Sequence, residues 1–335
     1  MLVPVLLPKI FNYPLTYSSN NKNISLKTGD FVEVPFGKTK EIGVIWDKLH
    51  VTTKKIKIKK IKKKIKNVSL NTSLIRFINW FSIYNFAPKG LVLKMCMGDK
   101  KNLIKDEKII FSEQNLKKKN YILNDEQKKA LKSLNKSNNK FKVSVLQGVT
   151  GSGKTIVYFE RVKKFLDSGN QVLILLPEIF LTNQFRKRFE DFFGFKPFVW
   201  HSKITPKNKR LIWQGVLKRK INLVIGARSS LALPFKNLGL IIVDEEHDPS
   251  YKQEEGIIYN ARDMAVARGS IENIPVDLIT SVPSLETFKN IENKKYDIIK
   301  MNKRFENFPF PETKVINLNY KKIGKMNISE DTINE

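Results

Sequence analysis

The chain has a single cysteine, Cys96, among 335 residues. One thiol excludes an internal disulfide framework and any zinc site built from several cysteines. Within its apolar stretch it reads as a small buried hydrophobe. No apolar run approaches the roughly 18–20 residues of a transmembrane helix. The short apolar start, Met1 to Ile10, has no basic flank and does not read as a signal peptide. No internal repeat is visible. The expectation is a soluble cytoplasmic protein with no membrane partner. Acidic residues are scarce: 32 Asp and Glu stand against 61 Lys and Arg, a formal net charge of +29. Such an excess repels itself unless a polyanion neutralises it, so nucleic acid is the first partner to consider. An AT-rich coding bias toward lysine and asparagine produces the same excess, so charge alone decides little.

What is present suggests two domains. Hydrophobic residues make up 41%, with 22 Phe, enough for a sizeable core. Over residues 1–50, short apolar runs (Val3–Leu7, Phe31–Pro35, Gly43–Trp46) alternate with Pro and Gly breaks, which predicts a small β unit. Residues 54–66 hold nine lysines interleaved with isoleucine. They read as a solvated edge strand or linker, with a phosphate-tracking stripe as the alternative. Leu74, Phe77, Ile78 and Phe81 fall at helical spacing behind a cap at Asn71 or Thr72. Residues 106–122 read as a linker after a first domain over 1–105. From 123 to 298, Leu- and Val-rich strands alternate with helices, predicting a parallel sheet covered on both faces. Residues 299–335 read as an irregular connector.

Two motifs carry chemistry. In GVTGSGKT, Gly148 to Thr155, a buried strand ends and a helix begins. The glycines Gly148, Gly151 and Gly153 let the backbone through Thr150 and Ser152 curl its N–H groups toward phosphate oxygens. The helix N-terminus adds its positive dipole end. Lys154 would reach the β- and γ-phosphates and Thr155 would ligate Mg²⁺, so ATP with Mg²⁺ is the expected cofactor. In DEEH, Asp244 to His247, two carboxylates close an apolar strand. Asp244 would hold Mg²⁺ and Glu245 would polarise the attacking water. An acidic pair after a strand is usually a solvated turn; the P-loop upstream favours catalysis.

These motifs stand with LLPEIFLTNQ (Leu175–Gln184), IGARSSLALPFKNLGLIIVDEEHD (Ile225–Asp248) and SYKQEEGIIYNARDMAVAR (Ser250–Arg268). Together they resemble the primosomal protein N′ family, the bacterial replication-restart helicases of superfamily 2. At the N-terminus, Val3–Tyr17 and Gly29–Trp46 look like that family's domain for the 3′ end of a nascent strand. The resemblance implies a RecA-like P-loop lobe behind a small, mostly-β DNA-binding domain. It implies ATP-dependent 3′→5′ unwinding, with forked and single-stranded DNA, primosome proteins and single-strand-binding protein as partners. Phe11, Tyr13 and Lys38 would contact the DNA end. Gln127 occupies an adenine-reading position; on residue chemistry alone a helix-surface Gln serves as well. Pro177 and Thr182, then Arg228 and Ser229, resemble the two loops that lay backbone on single-stranded DNA, where a cap for the next helix is the plain alternative. His247 and Thr280 would couple the ATP site to strand separation. Tyr251, Lys252, Tyr259 and Arg262 lie in a loop rich in aromatic and basic groups, suited to stacking on unpaired bases. The alternative is a surface loop pinned by a core tyrosine.

The chain departs from the family in four ways. ITSVPSLE, Ile279 to Glu286, carries Ser281 and Val282 where the family has Ala and Thr, so one coupling hydroxyl is missing. The winged-helix domain has no room. The cysteine-rich zinc module is absent. The second lobe, with an arginine finger worth roughly 10³–10⁵ in rate, is not reached before Glu335, as in an N-terminal fragment or a truncated gene. Nucleotide and DNA binding with slow or no turnover is therefore expected of the chain itself. A non-catalytic fork-binding module with a hydrolysis-deficient lobe is the alternative. A P-loop kinase or transporter ATPase is disfavoured, because neither a phosphoacceptor pocket nor a transporter signature loop is found.

Overall fold

The computed structural model describes residues 1–19, 25–49, 58–98, 103, 121–137 and 140–304. The linker over 106–120, the lysines at 54–57 and the connector beyond 304 lie outside the described residues.

The first unit is an antiparallel sheet of β1 (Leu2–Leu6), β2 (Leu15–Ser18), β3 (Asp30–Phe36), β4 (Thr39–Ile45) and β5 (Lys63–Ser69). Their order is β2-β1-β4-β3-β5. Strand side chains alternate between faces. Val3, Val5, Val32 and Val34 therefore form a small cluster with Tyr17 on one face. Leu6, Phe31 and Val44 join the main core on the other. Ile61 N–H donates to Ser18 O, and Lys62 N–H donates to Glu33 O. The stretch before β5 thus ties the two sheet edges together, as in a small barrel. Of the lysine-rich run, Lys63–Lys66 lie in the edge strand β5 and residues 58–62 lead into it.

Helices α1 (Thr72–Tyr84) and α2 (Lys89–Met97) follow. Asn71 caps α1, its side chain accepting from Leu74 N–H at 2.8 Å. α1 buries Leu74, Ile75, Phe77, Ile78 and Phe81, too wide a stripe for one partner. It has two: the small sheet and the second unit. Trp213 Nε1 donates to Cys96 O at 2.8 Å and Asn71 Nδ2 to Phe235 O at 3.0 Å. The Arg268 guanidinium lies between the Phe77 and Phe235 rings, 5.8 and 5.5 Å from their centroids. The two units share one continuous core, which the composition shift near residue 106 did not reveal.

The second unit contains α3 (Asp125–Leu134), β6 (Val143–Gly148), α4 (Lys154–Asp167), β7 (Gln171–Leu175), α5 (Asn183–Phe193), β8 (Phe198–Trp200), α6 (Pro206–Leu217), β9 (Leu223–Gly226) and β10 (Leu238–Asp244). After the short hairpin of β11 (Lys252–Gln253) and β12 (Tyr259–Asn260) come α7 (Ala261–Glu272), β13 (Val276–Thr280), α8 (Leu285–Glu292) and β14 (Asp297–Met301). The sheet order is β14-β6-β13-β10-β7-β9-β8, and the pairs are parallel. β7, β9, β10 and β13 are buried throughout, as a sheet covered on both faces requires. α3, α4 and α5 cover one face; α6 and α7, with α1 and α2, cover the other. Arg161 on α4 and Asp277 on β13 form an ion pair of 2.6 Å, both side chains fully buried.

One boundary needs correcting. The expected end of the lobe at 298 falls inside β14, which continues to Met301 and pairs with β6. Its apolar residues, Ile298, Ile299 and Met301, are interrupted by Lys300, so the run is too short and broken to read as a strand.

Candidate nucleotide site and nucleic-acid interface

Parallel strands place their outgoing loops at one edge, where ligands of α/β sheets bind. The loops after β6, β7, β9, β10 and β13 carry every lobe residue singled out above except Gln127 and the hairpin group. β13 lies between β6 and β10, with Gln147 paired to Thr280 and Ile279 to Asp244. Thr280 therefore stands at the end of the strand that lies between the P-loop strand and the acidic strand.

The loop after β6 curls through positive φ at Gly151 (84°) and Gly153 (82°), which side chains with a Cβ rarely adopt. A Cβ on Gly153 would sit 2.4 Å from Gln127 Nε2, and one on Gly148 2.6 Å from Ser152 Oγ. Thr150 and Gly151 are exposed, while Ser152 is buried. Ser152 Oγ has no hydrogen-bond partner among the described residues. Lys154 Nζ donates to Gly148 O at 2.6 Å, and burial holds its pKa below the usual lysine range. A half-buried lysine and an unpartnered hydroxyl in a curled backbone fit the phosphates of a nucleotide.

Tyr158 links the metal candidates. Its hydroxyl donates to Asp244 Oδ2 at 2.8 Å and shares a hydrogen bond with the Thr155 side chain. Burial first, then repulsion from Glu245, pushes the Asp244 carboxyl up to about 6. Among the described residues no three His, Cys, Asp or Glu side chains form a metal group. Thr155 and Asp244 thus fit Mg²⁺ only as it usually binds, through one or two protein groups plus phosphate oxygens. Glu245 is partly exposed at the mouth of the site. It adopts φ 49°, a left-handed conformation of the kind stored at functional sites. His247 Nδ1 lies 2.8 Å from Thr280 Oγ1, which itself donates to Val282 O at 2.7 Å. Because the threonine proton is committed to that carbonyl, Nδ1 must carry the proton shared with Thr280. Val282 is 67% exposed.

Sequence reasoning passed over Glu246. Its buried carboxylate accepts from Ser284 N–H at 2.8 Å, Ser284 Oγ at 3.0 Å and Thr287 Oγ1 at 2.8 Å. Arg262 Nη1 lies 3.4 Å away. The DEEH loop is thereby bolted to the start of α8. The partners lie 16 to 41 residues away in sequence, so no local spacing advertises them.

Several of the residues singled out in the sequence already have partners within the chain. Gln127 is 2% exposed. Its Oε1 accepts from Asn124 N–H at 3.0 Å in a capping box, and its Nε2 donates to Ser152 O at 3.1 Å. One lone pair and one N–H of the amide are thus engaged in shaping the loop. Tyr251, 1% exposed, donates to Leu175 O and Asp244 O; Tyr259, 4% exposed, packs edge-on against Phe81. Neither ring can stack on a base. Arg262 is buried against Glu246, Asp263 and Ser284. The loop is pinned by core tyrosines. Pro177 is buried, and Thr182 caps α5 by accepting from Phe185 N–H at 3.2 Å. Lys252, Ser229 and Thr182 are exposed, and Arg228 partly so; Arg228 reaches Lys252 O. On the small sheet Phe11 packs edge-on against Phe36 at 5.9 Å and lies 6.2 Å from Tyr13. Lys38 is exposed on the neighbouring β3–β4 turn, where Lys59 Nζ donates to Gly37 O.

A family model described as the 3′ DNA-binding domain (3'BD) of PriA matches residues 2–98. One described as type III restriction enzyme, res subunit, matches residues 120–274. The replication restart protein PriA of Rickettsia conorii is 40% identical over 332 residues, 97% of this chain and 49% of that protein. PriA of Bacillus subtilis is 37% identical over 198 residues, 58% of this chain and 25% of that protein. Among solved structures, RecG bound to a three-way DNA junction matches at 24% identity and TM-score 0.43, over 58% of this chain and 25% of that one. The chain spans about half the length of the rickettsial relatives it matches. By sequence, the chain is similar over nearly its whole length to a portion of the PriA replication restart proteins.

Proposed function

We propose that the protein is an ATP-dependent DNA helicase of replication restart, moving 3′→5′, and that this chain supplies its DNA-end domain and first ATP-binding lobe. The observation that carries this reading is the convergence of Lys154, Asp244, Glu245 and the His247–Thr280 pair at one sheet edge. Mg²⁺-ATP supplies the phosphoryl group whose transfer to water drives unwinding. Lys154 exchanges Gly148 O for phosphate oxygens. Thr155 and Asp244 would hold the cation, with Asp244 ionised. Glu245 accepts the proton of the attacking water. Thr280 and His247 pass the state of the site to the strand-binding loops. Phe11, Tyr13 and Lys38 receive a DNA 3′ end, and the exposed Lys252, Arg228, Ser229 and Thr182 meet the backbone of a single strand. Primosome and single-strand-binding proteins are the partners this reading implies.

The test combines ATP turnover with fork binding. The chain should bind a fork with a 3′ end at its branch more tightly than blunt duplex. Forked DNA should raise any turnover, and Lys154→Ala should abolish it while fork affinity stays within about twofold. Equal affinity for fork and blunt duplex, with no response of turnover to DNA, contradicts the reading.

A further inference from the structure

Between α2 of the first unit and α6 of the second runs an open groove of ≈ 610 Å³. Met95, Trp200 and Ile257 form its apolar floor, and Lys94 and Lys209 stand on its walls. Ser229 opens into it, and none of its lining residues is acidic. The groove starts at the outgoing ends of β8 and β9, the same sheet edge that carries the nucleotide loops. Its α2 wall is held against the lobe by the Trp213–Cys96 hydrogen bond. Trp200 Nε1 donates to Ser229 Oγ at 3.1 Å, which fixes the floor to the loop after β9.

We propose that this groove is a binding site for single-stranded nucleic acid shared by the two units, with Lys94 and Lys209 on phosphates and bases packed over Met95 and Ile257. The proposal rests on the helicase reading above and extends it. α2 would make the DNA-end domain one wall of the motor's strand path, so that a strand cannot enter the path without touching both units. Charge decides the occupant. Two cations beside an apolar floor, with no acid among the lining, match an unpaired strand, which offers phosphates and exposed base faces together. Duplex DNA keeps its bases stacked inside and gives an apolar floor nothing to cover. A protein segment would need a negative charge to answer the lysines, and it remains an outcome of the test.

The probe is fluorescein-labelled oligo(dT), titrated against the whole chain over a range of salt. The double variant Lys94→Glu/Lys209→Glu is compared with Lys136→Glu/Lys294→Glu. The latter changes net charge equally at exposed sites beside α3 and between α8 and β14, at the other end of the sheet. The groove variant should lose more than about tenfold in affinity, and its salt slope should fall by about 1.4, two phosphates at roughly 0.7 each. The control should lose less than about threefold, and nucleotide binding should be unchanged in both. Ultraviolet cross-links from oligo(dT) to the parent chain should map to peptides containing Met95 or Ile257. Equal losses in the two variants, or cross-links confined elsewhere, overturn the groove while leaving the helicase reading intact. Displacement of an acidic peptide but not oligo(dT) by the groove variant overturns it in favour of a protein partner. A parent chain that binds no oligo(dT) overturns both.

Discussion

Replacing Glu246 by alanine should cost the lobe much of its stability without touching its chemistry. The carboxylate is 1% exposed. It accepts three hydrogen bonds of 2.8–3.0 Å and pairs with Arg262 at 3.4 Å. Each hydrogen bond to a charged group contributes about 1.5–3 kcal/mol, but these share one acceptor and do not add. Breaking one partner of a buried ion pair costs about 3–5 kcal/mol. Arg262 keeps Asp263 at 2.9 Å as a second partner, so the loss should lie at the lower end of that range, about 3 kcal/mol. For a domain this large the loss corresponds to a fall in Tm of roughly 10 °C. Glu246→Gln keeps an oxygen for Ser284 N–H but turns an amide toward the other donors, so its loss should be intermediate. Urea unfolding followed by tryptophan fluorescence measures both. At a temperature where the variants are folded, nucleotide affinity should stay within about threefold. A loss of under about 1 kcal/mol, or a loss of nucleotide binding with stability intact, would refute the assignment of Glu246 to architecture.

Three further outcomes are expected. Burial raises the Asp244 carboxyl from 3.8 to about 6, so between these pH values the folded lobe holds a proton there that the unfolded chain does not. Acidification through this window favours the empty lobe but competes with the cation. Affinity for Mg²⁺-nucleotide should therefore fall by up to about tenfold per pH unit below 6, and calorimetry on Asp244→Asn should show weak binding without this dependence. Gly153→Ala forces a Cβ to 2.4 Å from Gln127 Nε2 at φ 82° and should cut nucleotide affinity more than about tenfold. Gln127→Ala in the same chain should restore only part of it, because the backbone strain persists; full restoration would show that the clash alone mattered. Tyr251→Phe should lower stability by about 1–3 kcal/mol, the cost of leaving buried carbonyls short of a donor. Oligo(dT) affinity should be unchanged; a specific loss of it would return Tyr251 to the DNA interface.

The nucleotide site was legible because its signals are local. A strand, three glycines, a lysine and a threonine within eight residues admit few other uses, and the acid pair closes an unbroken apolar strand. The parallel lobe was legible from Val172–Leu176 and Leu240–Val243, which are apolar throughout. Sidedness was not. Tyr251 and Tyr259 have the composition of a stacking surface, yet one donates to two backbone carbonyls and the other packs on Phe81; a short hairpin gives no period that says which way a ring faces. The partners of Gln127, Asn124 and Ser152, lie on two different elements, which no local pattern shows. The fused core failed for the same reason: α1 buries two faces, and only the fold shows that the second meets Phe235 and Arg268.

The central claim, that this chain holds a working ATP site, is tested most directly by equilibrium titration of a non-hydrolysable Mg²⁺-ATP analogue into the chain and into Lys154→Ala. The account predicts saturable one-to-one binding by the parent. The variant should lose more than about tenfold in affinity while its unfolding transition stays in place. No binding by the parent, or equal binding by both, would contradict it.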